Sequence, residues 1–375
     1  MSRRVLTSPQ PNDPGSEGGS GYDYQWHVGA RMALQMLLNK ETEYLVCEFH
    51  EDTIQVNRSL GLKLVQIKKR DSGNWTMQSL IRPDKKQKQG ILCKLFSPLA
   101  KGKDIKELLL TGYGKTSGDD ELSLPGLIAL LKYPQAARDD TWTDEIQKYV
   151  DFFCLELTPQ GIDRHIILNA IRILDIDFSL PHPQVIEDKN KEFLEQFFRE
   201  QLCVELTMPE IADMYQDLHT RIRKVSTRPG QPWTDKTLSR TETMNLLSHR
   251  ARQYKPAGSR VHSLTTQDKL TSVGLGEKIF YAFEQRLDAM KLRFELGMTS
   301  AQWENYKTDI NIEWSQFLAA HPGIQGPVLW GSLRNVLSLA AERWSATNKR
   351  LDSDFAEGVF FEMTGTCEAQ WRNRI

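Results

Sequence analysis

The sequence predicts an α/β domain followed by an all-α domain, and three observations carry that prediction. Several short segments before residue 110 read as strands, one of them, residues 62–67, alternating with a period of two. Hydrophobic residues shift to the i, i+3, i+4, i+7 spacing of helices beyond about residue 190. A chain of 375 residues also exceeds what one ordinary core organises.

The first element is a helix. Tyr24, Val28, Met32, Leu34, Met36 and Leu38 recur through a stretch whose only glycine is Gly29. Residues 44–49 (YLVCEF) and 53–56 (TIQV) predict strands around a polar turn, and residues 62–67 (LKLVQI) alternate as a third strand should. Residues 75–80 and the lysine-rich stretch to about residue 99 predict helix. Residues 105–110, closed by Thr111-Gly112-Tyr113-Gly114, predict a fourth strand, and residues 150–157 (VDFFCLEL) one more.

Helices follow. Phe193, Leu194, Phe197 and Phe198 share one face, as do Ile211, Met214, Tyr215, Leu218, Ile222 and Val225. The Pro/Gly break at 228–233 (RPGQPW) is the best linker, and residues 279–294 set Phe280, Phe283, Leu287 and Phe294 on one stripe. The predicted division is a disordered tail at 1–18, an α/β domain at 19–225 and a helical domain at 226–375.

Composition excludes several classes. Hydrophobic content of 39% with 26% charged residues is that of soluble globular proteins. No apolar run approaches the roughly 18 residues of a spanning helix, so the expected location is the cytoplasm. Arg3-Arg4-Val5-Leu6 is followed, from Thr7 to Ser20, by polar residues rich in Pro and Gly where an export signal needs an apolar core. Cysteines at 47, 93, 154, 203 and 367 match neither a disulfide framework nor a CxxC zinc site, and predict buried thiols in a reducing compartment, where the sequons at Asn57 and Asn74 carry no meaning. Eight histidines without HxxxH or HExxH spacing argue against a zinc hydrolase. Residues 111–116 (TGYGKT) imitate a P-loop, but the motif needs glycine at 109, which is Leu109, and no strong helix is predicted directly after it.

The net charge of −1 conceals an asymmetry. Residues 61–106 hold twelve Lys/Arg against three Asp, a local charge of +9 against −10 elsewhere. Such a run is commonly a solvated face, and it is also the electrostatic footprint of phosphate binding.

Chemistry concentrates between Glu48 and Lys68. Strand parity puts Leu64, Gln66 and Lys68 on one face and Val65 and Ile67 on the other. Glu48, Glu51 and Asp52 cluster upstream, where a hairpin brings an acid opposite Gln66. An acid and an amide oxygen are hard donors suited to Mg²⁺ or Mn²⁺, and a lysine beside them can orient water and offset charge on a phosphate. That set suits phosphodiester hydrolysis, with the basic segment after it (Lys69, Arg70, Lys85, Lys86, Lys88) holding a DNA backbone.

An Asp, a short hairpin and Gln-x-Lys in this order of elements resemble the PD-(D/E)xK nuclease superfamily, in the QxK variant known from Mrr-type restriction enzymes. More closely, residues 19–25 (GSGYDYQ), 48–54 (EFHEDTI), 65–70 (VQIKKR) and Trp75-Thr76 are similar to the dsDNA endonuclease domain of bacterial anti-phage effectors. Those include CBASS effectors with a SAVED sensor, Lamassu nuclease subunits and partners of HerA-type ATPases. The likeness covers about residues 19–220 and is strongest up to Leu110. It implies a restriction-endonuclease-like fold, a mixed sheet flanked by helices. It also implies Asp52 as the metal-binding acid, Gln66 as the second ligand, Lys68 as the catalytic lysine, Glu48 as an accessory acid and metal ligand, and Gln25 as a polar group brought by the first helix. Gln66 stands where many members have Asp or Glu, and Glu51 where they have Pro.

Tryptophans 233, 303, 314, 330, 344 and 371 have helical rather than motif-like spacing and predict core or interface. Residues 354–371 are similar to the ends of nuclease subunits from multi-component defence systems, Lamassu-like ones above all. The length left after the nuclease domain is short for a SAVED domain, so sensing is expected in a partner: an SMC/Rad50-like ATPase first, a HerA-like ATPase second. The helical domain would then dock that partner and mediate homo-oligomerisation. The expected function is a latent Mg²⁺-dependent dsDNA endonuclease. The alternative is a DNA-binding or scaffold subunit in which Gln66 marks a degenerate site.

Overall fold

The computed structural model describes residues 19–39, 41–48, 52–58, 61–83, 89–102, 104–118, 122–132, 144–201, 204–227, 232–254, 262–366, 369 and 371. These fall into two compact units. The first holds the described residues up to Leu194 together with Ile211–Leu247, and the second holds Glu195–Glu210 and those from Ser248 onward.

The first unit is built on a mixed sheet of six strands. After helix α1 (Gly19–Leu38), β1 (Thr42–Cys47), β2 (Thr53–Asn57) and β3 (Leu62–Trp75) form an antiparallel meander. The chain then crosses through α2 (Met77–Ile81) and α3 (Ile91–Phe96) to β4 (Ile105–Thr116), which runs parallel to β3. Helices α4 (Leu124–Leu131), α5 (Asp144–Leu157) and α6 (Arg164–Ile173) lead to β5 (Leu174–Asp177), parallel to β4 at the sheet edge. Helices α7 (Ile186–Gln201) and α8 (Met208–Ser226) precede β6 (Thr237–Ser239), which pairs antiparallel with β1.

The first predicted helix and the four predicted strands before residue 116 are present, two of them longer than the hydrophobic pattern. The helix expected from residue 75 to about 99 is seen as the short α2 and α3, with residues 84–88 outside the described ones. β3 and β4 continue past Ile67 and Leu110 because their polar ends pair with each other, Lys68 opposite Gly112 and Asn74 opposite Lys115. Burial at the centre is two-sided, Leu64 and Val65 both being fully buried. The TGYGKT segment is therefore a strand end.

Three expectations are corrected. Residues 150–157 form the end of helix α5, because Ile146, Tyr149, Val150, Phe153 and Leu157 follow a 3.6-residue stripe into the core. The local run of aromatic and β-branched residues hid that period. The chain also returns to the sheet after residue 225, contributing β6 before α9 (Arg240–Tyr254) leaves the first unit. A three-residue strand carries too little pattern to be seen in sequence. Finally, Phe280 and Phe283 are buried as their stripe requires, but Phe294 at the end of that helix is 87% exposed.

Gly112 permits the closest approach in the sheet. A Cβ there would sit 1.6 Å from the Lys68 carbonyl oxygen, and its φ of +153° is one L residues rarely adopt.

The second unit contains α10 (His262–Ser272), α11 (Ile279–Glu295), α12 (Ser300–Ala320), α13 (Gly326–Ser345) and α14 (Ser353–Gly365). α14 is buried nearly all round, from Phe355 to Gly365. Trp314, Phe360 and Trp371 form an edge-to-face cluster, with Phe360 centred 5.3 Å from Trp314 and 5.2 Å from Trp371. The buried Glu357 carboxylate accepts from Arg334 Nε at 2.7 Å and from the Tyr281 hydroxyl. At Gly358 a Cβ would meet the Gln285 carbonyl oxygen at 2.2 Å, so α11 and α14 touch backbone to backbone. Among the described residues no helix is long and apolar enough to cross a membrane.

Two substitutions test these approaches. Gly112→Ala is expected to cost about 1–3 kcal/mol by forcing β4 away from Lys68, and Gly358→Val a similar amount by separating α11 from α14. Denaturant melts with an unchanged midpoint for either variant would contradict the close packing.

Candidate active site

The β2–β3 ladder ends at the Thr53–Val65 pair, one step before the residues that matter. Beyond it the peptide groups of Ile67 have no strand partner on that side, and side chains take them over. Asp52, just ahead of β2, accepts the Ile67 N–H on Oδ2 at 2.6 Å. Gln25 of α1 donates its Nε2 to the Ile67 carbonyl at 3.3 Å.

The same Asp52 oxygen collects two candidate side chains. Gln66 Nε2 donates to Oδ2 at 2.6 Å, and Lys68 Nζ lies 3.7 Å from it. Gln66 is buried, whereas 29% of the Lys68 side chain stays accessible, so the ammonium can face a substrate. The structure thus brings Asp52, Gln66, Lys68 and Gln25 to one strand end.

Glu48 enters through its backbone. It is the only non-glycine residue with positive φ (+47°) among those described, and its N–H donates to the Asp52 carbonyl at 3.0 Å. Its own carbonyl accepts Lys236 Nζ at 2.5 Å. Lys236 is fully buried and lies 188 residues away. A charge-assisted bond to a left-handed residue holds the turn that delivers Asp52. Nothing in the sequence pointed to Lys236, because a contact of that separation leaves no local pattern.

Oxygen donors for a hard cation are present. Among the described residues the contacts of Gln66, Ile67 and Lys68 with the Asp52 side chain fall on Oδ2, and Gln25 Oε1 is buried without a hydrogen-bond partner. The Asp52 carboxylate and the unpartnered Gln25 oxygen, which flank Ile67, fit Mg²⁺ or Mn²⁺, which prefer carboxylate and amide oxygens. Gln66 presents its amide nitrogen to Asp52, so its oxygen would reach an ion only after the amide turns over.

The basic residues divide. Lys69 lies 3.7 Å from Asp71. The Arg70 guanidinium stacks 4.3 Å over Trp75 and donates to the Asn74 carbonyl at 2.6 Å. Both stand on the polar extension of β3 that leads away from Lys68. Lys85, Lys86 and Lys88, like Glu51, fall outside the described residues.

Among solved structures the chain is similar to the Moraxella osloensis Cap4 SAVED/CARF-domain containing receptor, at 13% identity and a TM-score of 0.39, over 63% of this chain and 49% of that one. It is also similar to the Acinetobacter baumannii Cap4 SAVED/CARF-domain containing receptor with the cyclic trinucleotide 3'3'3'-cAAA, at 12% identity and a TM-score of 0.41, over 65% and 51%. The chain spans about half the length of these structures. No curated protein matches it. Residues 13–226 match the family described as Cap4, dsDNA endonuclease domain. That match covers more than half of the sequence, including Asp52, Gln66 and Lys68, and the chain belongs to the Cap4 dsDNA endonuclease domain family.

Proposed function

We propose that this chain is a Mg²⁺- or Mn²⁺-dependent dsDNA endonuclease of the PD-(D/E)xK type in its QxK form, with Asp52, Gln66 and Lys68 as its working residues. The family is one of CBASS effector nucleases. The observation that carries the proposal is the convergence of Gln66 and Lys68 on one oxygen of Asp52, at 2.6 and 3.7 Å.

Asp52 and the amide oxygens of Gln66 and Gln25 would hold a divalent cation, which would supply Lewis acidity and an activated water. Asp52 holds its place through the Ile67 N–H. Lys68, a compact charge on a partly exposed strand end, orients the attacking water and offsets charge on the phosphate. Glu48 acts as an accessory acid at the mouth of the turn. Lys69 and Arg70 continue the positive strip along β3 for the DNA backbone, with Lys85, Lys86 and Lys88 after them.

The effector role extends from the family. The chain acts in anti-phage defence and stays latent until a partner releases it, an SMC/Rad50-like ATPase of the Lamassu kind being the first choice and a HerA-like ATPase the second. The helical second unit serves as the docking and homo-oligomerisation surface. The competing reading is a degenerate DNA-binding or scaffold subunit. It is favoured by one detail, that the Gln66 amide nitrogen and the Ile67 N–H already occupy Oδ2 of Asp52 without an ion.

Plasmid nicking in Mg²⁺ tests the assignment. Lys68→Ala is expected to lose about 10²–10³-fold in rate, the scale of removing one group that stabilises developing charge, and EDTA to abolish cleavage by the parent. Equal cleavage by parent and variant would remove Lys68 from the chemistry.

A further inference from the structure

We propose that Asp23, His27 and His219 form a second metal site, one for Zn²⁺ or a similar borderline transition metal, that clamps α1 to α8. One ligand atom from each of the three lies within 4.8 Å of the others. Asp23 Oδ2 stands 3.5 Å from His27 Nε2, and Asp23 Oδ1 stands 3.7 Å from His219 Nε2. Ligand atoms about 2.0–2.1 Å from a tetrahedral zinc lie roughly 3.4 Å apart, so small rotations close the set around an ion. The rings stack with centroids 4.3 Å apart at 23°, and they would splay slightly to admit it.

The surroundings are those of a built site. His27 Nδ1 is engaged by the Tyr215 hydroxyl at 2.6 Å, and Asn190 Nδ2 donates to that hydroxyl at 3.0 Å and to the His27 carbonyl at 2.9 Å. Such a second hydrogen bond orients an imidazole and aims its other nitrogen at a metal. His219 Nε2 is buried and has no hydrogen-bond partner, a polar atom that a cation would satisfy. Burial, the largest cause, lowers the pKa of both imidazoles from the ordinary histidine value. Two imidazoles and one carboxylate select zinc, cobalt or nickel over magnesium.

The three residues line a cleft of about 590 Å³ together with Glu187 and Arg223. Sequence spacing shows only the Asp23/His27 half, four residues apart on one helix, because His219 arrives from α8. The site also touches the rest of the first unit in a definite way. Gln25, which holds the Ile67 carbonyl, lies between two of the ligands on the same helix. A metal clamp on α1 therefore steadies the residue that borders the candidate active site, and the clamp stands whether or not the nuclease reading does.

Cobalt substitution tests it. The full chain, stripped with chelator and titrated with Co²⁺, is expected to bind one equivalent at this site with the strong visible absorption of a low-coordinate ion. Asp23→Asn, at an exposed position that folding tolerates, is expected to weaken that binding at least tenfold, as is His219→Gln. Asp52→Asn is expected to keep the spectrum and so separates this site from the one on β3. The proposal is overturned if no such absorption develops, if Asp23→Asn leaves it unchanged, or if Asp52→Asn abolishes it.

Discussion

The hydrogen bond from the Ile67 N–H to Asp52 is the contact on which the first unit's candidate site depends. It exists because β2 stops pairing at Thr53 while β3 runs on, so the sheet has an unpaired peptide where a carboxylate can dock. A backbone donor positions Asp52 more firmly than a side chain could, since Ile67 is locked in the ladder with β4 on its other side. Gln66 and Lys68 follow from the pleat, as neighbours on the same face two residues apart. Gly112 completes the arrangement by letting β4 lie against the Lys68 carbonyl.

Strain and burial maintain this geometry from a distance. Glu48 sits in a left-handed conformation that costs of order 1 kcal/mol or more, and the buried Lys236 ammonium holds its carbonyl. Lys236 in turn directly precedes β6, the last strand to join the sheet. A residue late in the chain therefore fixes the turn that presents the acid, which ties folding of the whole first unit to the shape of its candidate site.

What the sequence revealed depended on separation along the chain. The parity of Gln66 and Lys68 and the upstream acid were legible because they lie within one hairpin. The α1 stripe and the helix face from Ile211 to Val225 were legible from period alone. Lys236, β6 and the His219 partner of Asp23 and His27 were not, because each depends on contacts across more than about 180 residues. Helix α5 was misread for a different reason. Its composition favours strand locally, and only the placement of Phe153 and Leu157 in the core reveals the period.

The central claim is that Asp52 and its neighbours form a metal-binding active site. It is tested most directly by Mn²⁺ binding to the full chain, followed by the loss of the free-ion paramagnetic resonance signal. Saturable binding of Mn²⁺ that Asp52→Asn removes and Asp23→Asn retains is the predicted result. Undiminished Mn²⁺ binding in Asp52→Asn, or none in the parent chain, would contradict it and favour the scaffold reading.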